Sequence, residues 1–388
     1  MTKARKGPHD AAPIRVAWFQ GVVPHYRVPL FNNLDKGHGV ELTVFAGPGN
    51  PGVSNADASG DLTARVVPIR NVYGNGRHLP FSYAHGWSRL LRGFDVVVTS
   101  ESTRDVATWL LLFLRRLFGF KLVICGHIRL TTHDRVVVAR LRRLLVGWAD
   151  GVIAYTEEGS QQALEWGKNA ASVIAMGNTI DTERAERARD SVTPEDVDRF
   201  KSERGLGNAV FLFIARPTPW KRLDTAIEAV RILNGRGLRT DLLVVGAEGA
   251  AQAGVPTTAS DRVHFLGVET RDEVLATYFA AADLVLVPGA VGLAVNHAFA
   301  QGRPIVTARH AQHGPEMAIA EHGRNAWLVE STDAEAFAEA LERLTCAPEL
   351  LVRLHQGSRT TELPTVGRAA TRIATLVQRV GGRVTTEG

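Results

Sequence analysis

The sequence predicts an α/β protein in two halves, each a parallel sheet with helices packed on it. Three observations carry that prediction. Short apolar runs rich in Val, Ile and Phe alternate with helical patterns along most of the chain, which is the mark of βαβ units. Most of these runs are continuous rather than alternating, as strands buried on both faces require. The alternation halts once, across residues 182–208, and then restarts. With 388 residues, 45% of them hydrophobic, the chain exceeds one ordinary domain and suits two.

In the first half, strands are expected at 14–19, 41–45, 64–68, 95–99, 121–125, 151–155 and 172–176. Helices are expected at 28–35, 102–117 and 136–148. The stretch 182–208 is polar and charged, with Thr193 as a helix N-cap and Pro194 at the first helical position, and reads as a hinge. In the second half, strands are expected at 210–215, 241–246, 263–267, 284–288 and 304–307, and helices at 224–233, 271–281 and 295–301. A last helix at 365–380 can pack on either half. The expected division is a disordered tail (1–12), an N-terminal domain (13–181), the hinge (182–208), a C-terminal domain (209–364) and a C-terminal helix (365–382).

Composition narrows the partners. Charged residues make up 22% and aromatics 7%, a globular balance. The net charge of +5 is uneven: residues 1–180 hold 21 Lys+Arg against 13 Asp+Glu, and the rest hold 24 against 27. A basic first half points to an anionic partner. No basic run is interleaved with aromatics and no nucleic-acid motif occurs, so nucleic acid is not expected. Cys125 and Cys346 are far apart, make no metal or disulfide spacing, and read as two core thiols, with a reducing cytoplasm as the simplest compartment. The first dozen residues carry no apolar leader, and no run reaches the ~18 apolar residues of a membrane span.

In open parallel sheets, ligands bind outside the carboxyl ends of the strands. After the strand FLFIA comes Arg216-Pro-Thr-Pro-Trp-Lys221, which puts two cations on one strand-to-helix turn. A helix start already favours an anion, so the pair suits a diphosphate; alone, it is equally a charged surface turn. After the strand ending at Pro288 comes a loop of Gly289, Ala290, Val291 and Gly292, then a helix from Leu293 that carries His297. Successive backbone N–H groups in such a loop can hold phosphate or sugar oxygens.

Taken together, these segments resemble glycosyltransferase family 4 (group 1), whose GT-B fold sets two Rossmann-like domains about a central cleft. The resemblance spans roughly residues 14–380. It rests on PHYRVPLFNNL near the start, CGH at 125–127, DGVIAYTEEG at 150–159, GNTID at 177–181, ARPTPWKRLD at 215–224, and the 288–306 segment. It implies a retaining, metal-independent transfer of a hexose or N-acetylhexosamine from a nucleotide-diphosphate sugar, with a UDP-sugar favoured and no cofactor. The acceptor is then a hydroxyl compound in glycolipid, polysaccharide or secondary-metabolite synthesis. Arg216 and Lys221 match the pair that stabilises the departing diphosphate. Val291, Gly292 and Leu293 match the backbone loop around phosphates and sugar. Gly21 matches the glycine beside the phosphates, His127 the histidine beside the transferred sugar, and Gly267 with Val268 the loop that meets the base.

One departure stands out. The family usually has two glutamates eight apart around the glycine loop, and here those positions hold Gly289 and His297. His297 can still bond a ribose hydroxyl, and Glu316 in HGPE can replace a missing carboxylate. The same departure keeps a catalytically silent nucleotide-sugar-binding homologue in view, and an epimerase on the same fold is a further alternative. His25, Tyr26 and Arg27, with Glu101 after the strand DVVVTS, are candidate acceptor contacts, and the first three read equally as a helix-start cap and packing group. Glu157 and Glu158 read either as cleft residues or as first-turn helix acids. Arg115, Arg116, Arg140, Arg142 and Arg143, with Trp109 and Trp148, fall on two apolar helices, and a basic helix bearing Trp can rest on an anionic membrane surface. The expected location is therefore cytoplasmic, with peripheral contact to the inner face of the membrane.

Overall fold

The computed structural model describes residues 12–47, 57–73, 80–83, 91–128, 136–249, 254 and 262–382. All but the last residue of the expected tail lies outside the described residues. The chain forms two compact units, Met1–Asn178 with Thr365–Gly388, and Thr179–Pro364.

The first unit is built on a parallel sheet of β1 (Ile14–Gln20), β2 (Val40–Ala46), β3 (Arg65–Pro68), β6 (Val96–Ser100), β7 (Lys121–Gly126), β8 (Gly151–Ala154) and β9 (Val173–Ala175), in the order β3-β2-β1-β6-β7-β8-β9. A short antiparallel pair, β4 (Arg70–Tyr73) and β5 (Pro80–Tyr83), was not expected from the sequence. Side chains along a strand alternate between faces, and β1 shows the result. Val16 and Trp18 join one core cluster with Leu30, Phe31 and Leu34 of α1 (Val28–Asp35). Ala17 joins the other, with Leu111 of α2 (Val106–Phe118), Leu145 of α3 (Val136–Trp148) and Ala163 of α4 (Glu157–Glu165). Helix α2 begins later than expected, because Asp105 caps it by accepting from Ala107 N (3.0 Å) and a turn occupies residues 102–105.

The C-terminal helix (Val366–Val380) belongs to this first unit. It buries Val366, Ala369, Ala370, Ile373, Ala374, Leu376 and Val377, spaced three and four apart, in the same cluster as Val16 and Trp18. Thr365 caps its start, accepting from Arg368 N.

The second unit opens with α5 (Thr182–Ser191) and α6 (Pro194–Glu203). The expected hinge residues are therefore mostly helical and pack inside this unit: Gln301 Nε2 donates to Ala185 O (2.9 Å) and Arg189 Nη1 to Ala300 O (2.8 Å). Thr193 caps α6 in a reciprocal capping box with Asp196. The sheet contains β10 (Ala209–Ile214), β11 (Thr240–Val245), β12 (Val263–Phe265), β13 (Leu284–Leu286), β14 (Ile305–Ala308) and β15 (Ala326–Val329). All are parallel, in the order β12-β11-β10-β13-β14-β15. Helices α7 (Leu223–Gly235), α8 (Asp272–Ala281) and α9 (Ala294–Ala300) connect strands, and α10 (Ala334–Cys346) and α11 (Pro348–Arg359) follow β15. The sequence reading placed no element between 308 and 364. It also took Cys346 for a core thiol; Cys346 is exposed near the end of α10, while Cys125 is buried.

Candidate functional site

In the second unit the cationic turn and the glycine loop meet at the carboxyl ends of β10 and β13. The chain leaves β10 at Ala215 and runs through Arg216 into a short turn, Pro219–Lys221. Arg222 then takes a left-handed conformation (φ +55°) and α7 begins. Gly246, at φ +119°, lets β11 lie close: a Cβ there would fall 2.2 Å from Ala215 O. The two loops are joined through their backbones. Gly289 N donates to Lys221 O (3.2 Å) and Ala290 N to Trp220 O (2.7 Å). The Lys221 ammonium turns back and donates to Ala290 O (2.5 Å). Burial pulls the Lys221 pKa down, and the Glu316 carboxylate pulls it partly back up. Arg216 is exposed.

This joint explains why position 289 is glycine. A Cβ at Gly289 would lie 2.0 Å from Trp220 O, deep inside contact distance. No side chain fits there on this backbone. Thr307 Oγ1 completes the anchorage by donating to Gly289 O (3.0 Å).

The rest of the loop rests on two residues from the segment after β14. His313 Nδ1 accepts from Val291 N (3.1 Å) while its Nε2 faces Ala308 O (2.7 Å). That pattern requires a neutral ring protonated on Nε2, and burial, followed by Lys221, favours it by lowering the pKa despite the opposing Ala308 bond. Glu316 is buried beneath the loop, with one carboxylate oxygen 3.8 Å from where a Gly292 Cβ would stand. So the Val291 N–H is already committed, and Glu316 takes a place beside Lys221 and Gly292. His297, on α9, stacks on Phe279 (centroids 6.4 Å apart, 8° between planes) and is only partly exposed. Gly267 (φ +77°) forms an isolated bridge with Ala247 and carries the exposed Val268 beside it. The Glu248 carboxylate lies against Gly267, with an oxygen 3.1 Å from where a Cβ would be. Sequence reasoning missed Glu248, His313 and Thr307. Only the position of His313 in HGPE, three residues before Glu316, offered a signal.

In the first unit the remaining candidates sit around the carboxyl ends of β1, β6 and β7. Gly21 is exposed just after β1, and open space surrounds its missing Cβ. His25, Tyr26 and Arg27 form a short turn in which His25 is exposed and Arg27 buried. Glu101 is spent on the backbone: Oε1 accepts from His127 N (2.9 Å) and Oε2 from Ile128 N (2.7 Å). Ile128 holds φ +52°, a strained conformation for a β-branched residue. Glu101 thus fixes the loop that bears His127 rather than reaching outward. The exposed His127 ring stands edge-on to Tyr155 (4.8 Å), and Gly159 leaves room for the His127 carbonyl, 2.3 Å from where a Cβ would be. Thr156 caps α4 above the first-turn acids Glu157 and Glu158, the position expected of ordinary N-terminal helix acids.

Helices α2 and α3 expose an apolar patch. Phe113 (66% exposed) and Trp148 (47%) stack edge-to-face at 6.5 Å, and Leu117, Val136 and Val137 are exposed too. Arg116, Arg140 and Arg143 are exposed on the same helices. Arg115 instead pairs with Asp150 (3.5 Å), and Trp109 is turned inward with its indole N–H on Thr103 O (3.0 Å). Among the described residues, no helix is long and apolar enough to cross a membrane.

Residues 208–346, within the second unit, match the family model described as "Glycosyl transferases group 1". The chain is 30% identical over 188 residues to the amylovoran biosynthesis glycosyltransferase AmsK of Erwinia amylovora, covering 45% of this chain and 44% of that one. It is 28% identical over 235 residues to the D-inositol 3-phosphate glycosyltransferase of Streptomyces griseus, covering 54% and 49%. The chain thus spans about half the length of the curated relatives it matches. Among solved structures, Anabaena Alr3699/HepE in complex with UDP superposes with a TM-score of 0.68 at 18% identity, over 94% of this chain and 100% of that one. The fold class is GT-B.

Proposed function

We propose that this protein is a glycosyltransferase that binds a nucleotide-diphosphate sugar, a UDP-sugar by preference, on its second unit and transfers the sugar to an acceptor hydroxyl. The observation that carries the reading is the backbone joint between the Arg216–Lys221 turn and the Gly289–Leu293 loop. It gathers two cations and a run of main-chain donors at one strand end. Arg216 and Lys221 stabilise the charge that develops on the departing diphosphate, the role a metal ion plays in other transferases. The Val291 N–H is engaged, so Gly292 and Leu293 supply the main-chain donors. His297 serves the ribose, and Gly267 with Val268 serves the base. His127, held by Glu101, Gly159 and Tyr155, lies beside the sugar. The sugar is a hexose or N-acetylhexosamine, transferred with retention. The names of the relatives support glycosyl transfer, and the UDP in the superposing structure supports the nucleotide.

The first unit takes the acceptor, and its α2–α3 patch rests on an anionic membrane surface, as befits lipid-linked or cell-envelope acceptors. Arg116, Arg140, Arg143, Phe113 and Trp148 have the mixture of charge and interfacial aromatics that such binding uses.

The test is a thermal-stability screen of UDP- and GDP-sugars, with hydrolysis followed in parallel, repeated on Arg216→Ala and Lys221→Ala. Stabilisation by a UDP-sugar in wild type, reduced in both variants, is the expected result. Absence of stabilisation by every nucleotide sugar would sink the donor site.

A further inference from the structure

The first unit contains a cavity of about 200 Å³ at the carboxyl ends of β1, β6 and β7. Gln20, Gly21, Ser100, Ser102, Tyr155 and Arg27 are among its walls. Arg27 is the unusual member. It is 5% exposed, and burying a guanidinium costs several kcal/mol unless a counter-charge and hydrogen bonds offset it. A guanidinium carries five N–H donors. Arg27 has its carbon 5.0 Å from the Tyr155 ring centroid and 5.8 Å from that of Tyr26, and one nitrogen 3.7 Å from the Met176 sulfur. The Tyr26 side chain also hydrogen-bonds the guanidinium, but one phenol, ring faces and a thioether are neutral partners for a buried charge.

Among the described residues, no carboxylate forms an ion pair with it. Two acids are close to the cavity, and both are engaged elsewhere. Glu101 has its oxygens on the N–H groups of His127 and Ile128. Asp105, which also lines the cavity, caps α2 through Ala107 N and accepts from Thr108 Oγ1 (3.3 Å). The fold therefore keeps a permanent positive charge beside a hollow of ligand-fragment size, with serine and glutamine side chains around it and the Trp18 and Phe19 rings in its wall.

We propose that this cavity receives a small oxyanion, a phosphate monoester or a carboxylate, carried by the acceptor, and that Arg27 is its counter-ion. The planar fork of the guanidinium suits bidentate recognition of either group. The acceptor is then a phosphorylated or acidic compound rather than a neutral one. This rests on the glycosyltransferase reading for the word acceptor; the anion subsite itself does not depend on it.

The experiment measures thermal shift and calorimetric binding on the full chain at saturating UDP, so that the donor site is filled. Inorganic phosphate and glucuronate serve as separate probes, to distinguish phosphate from carboxylate. At least one is expected to stabilise wild type and to bind about tenfold or more weakly to Arg27→Met, the loss of a charge-assisted pair, while the UDP shift stays unchanged. Ser102→Phe, which fills the cavity and leaves Arg27 in place, is expected to lose the oxyanion shift as well and covers the case in which Arg27→Met does not fold. Equal oxyanion binding by either folded variant overturns the proposal, as does no binding of either probe to a wild type that still binds UDP. A wild type that binds an oxyanion but no nucleotide sugar refutes the donor site and leaves the subsite standing.

Discussion

Placing a methyl group at Gly289 tests the joint between the two loops of the second unit. In Gly289→Ala the new Cβ would stand 2.0 Å from Trp220 O and 2.8 Å from the Lys221 carbonyl carbon. Ordinary contact begins near 3.4 Å, so the backbones must part by more than an ångström. Overpacking of this kind costs about 1–3 kcal/mol. Parting the loops also strains the Gly289 N to Lys221 O and Ala290 N to Trp220 O bonds, each worth about 0.5–1.5 kcal/mol. The sum is about 3 kcal/mol, a large share of a domain's stability. Gly292→Ala is the matched control, since the nearest atom to its Cβ is 3.8 Å away; it should cost under about 0.5 kcal/mol. Reversible urea unfolding of the two variants reads the difference. Gly289→Glu, which places at this position the carboxylate that the family resemblance implies, should be as unstable as the alanine variant and should not bind a UDP-sugar more tightly. Equal stability of Gly289→Ala and wild type, or tighter donor binding by Gly289→Glu, would refute the steric account.

Four other outcomes follow from the same structure. Glu101→Ala strips the acceptor from two backbone N–H groups, one on the buried Ile128, and should destabilise the first unit by about 3 kcal/mol; a melting temperature equal to wild type contradicts the role given to Glu101. Removing residues 365–388 exposes the core face under Val366, Ile373, Leu376 and Val377, a loss of about 8 kcal/mol at 1.5–3 kcal/mol per side chain, so the truncated chain should lose the cooperative unfolding transition of its first unit. The lowered pKa of His313 means the native state resists a proton that the unfolded chain accepts. Its stabilising contribution is complete above the ordinary imidazole value and is lost as pH falls from there through the depressed folded value. His355, buried beside Arg303 and brought down to about 4, acts in the same direction. The urea midpoint should therefore fall between about pH 7 and pH 5, less steeply in His313→Gln; an identical slope in that variant removes His313 from the account. Phe113→Ser with Trp148→Ser should reduce sedimentation with phosphatidylglycerol vesicles and leave binding to UDP unaltered, whereas unchanged sedimentation argues against the membrane face.

The alternation of strands and helices was legible because strands buried on both sides read as unbroken apolar runs, and each such run ends within a residue or two of its observed strand. The Arg216–Lys221 turn and the Gly289–Leu293 loop stood out in the sequence for a related reason: charges and glycines directly after a core strand mark a strand-to-helix turn at the end of the sheet where ligands bind. Other features depend on atoms distant in sequence. No local pattern says that the Trp220 carbonyl fills the space a side chain at 289 needs. Glu101 looked outward-facing because its partners, the N–H groups of His127 and Ile128, are main-chain atoms that carry no sequence signal. Arg27 read as a candidate acceptor contact or a packing group at a helix start; only the packing of Tyr26, Tyr155 and Met176 around it shows a buried charge beside a cavity. The polar helices α5 and α6 read as a hinge because small Ala185 and Ala188 carry much of the burial of α5 and Phe200 alone is the buried residue of α6. The sequence by itself determined the succession of strands and helices and the paired α/β halves, since hydrophobic period and turn residues are local. Only the tertiary structure decided which unit the C-terminal helix completes, why position 289 must be glycine, and where an arginine is buried beside a cavity with no ion pair among the described residues, since each depends on which atoms distant in the chain come to share the same few ångströms.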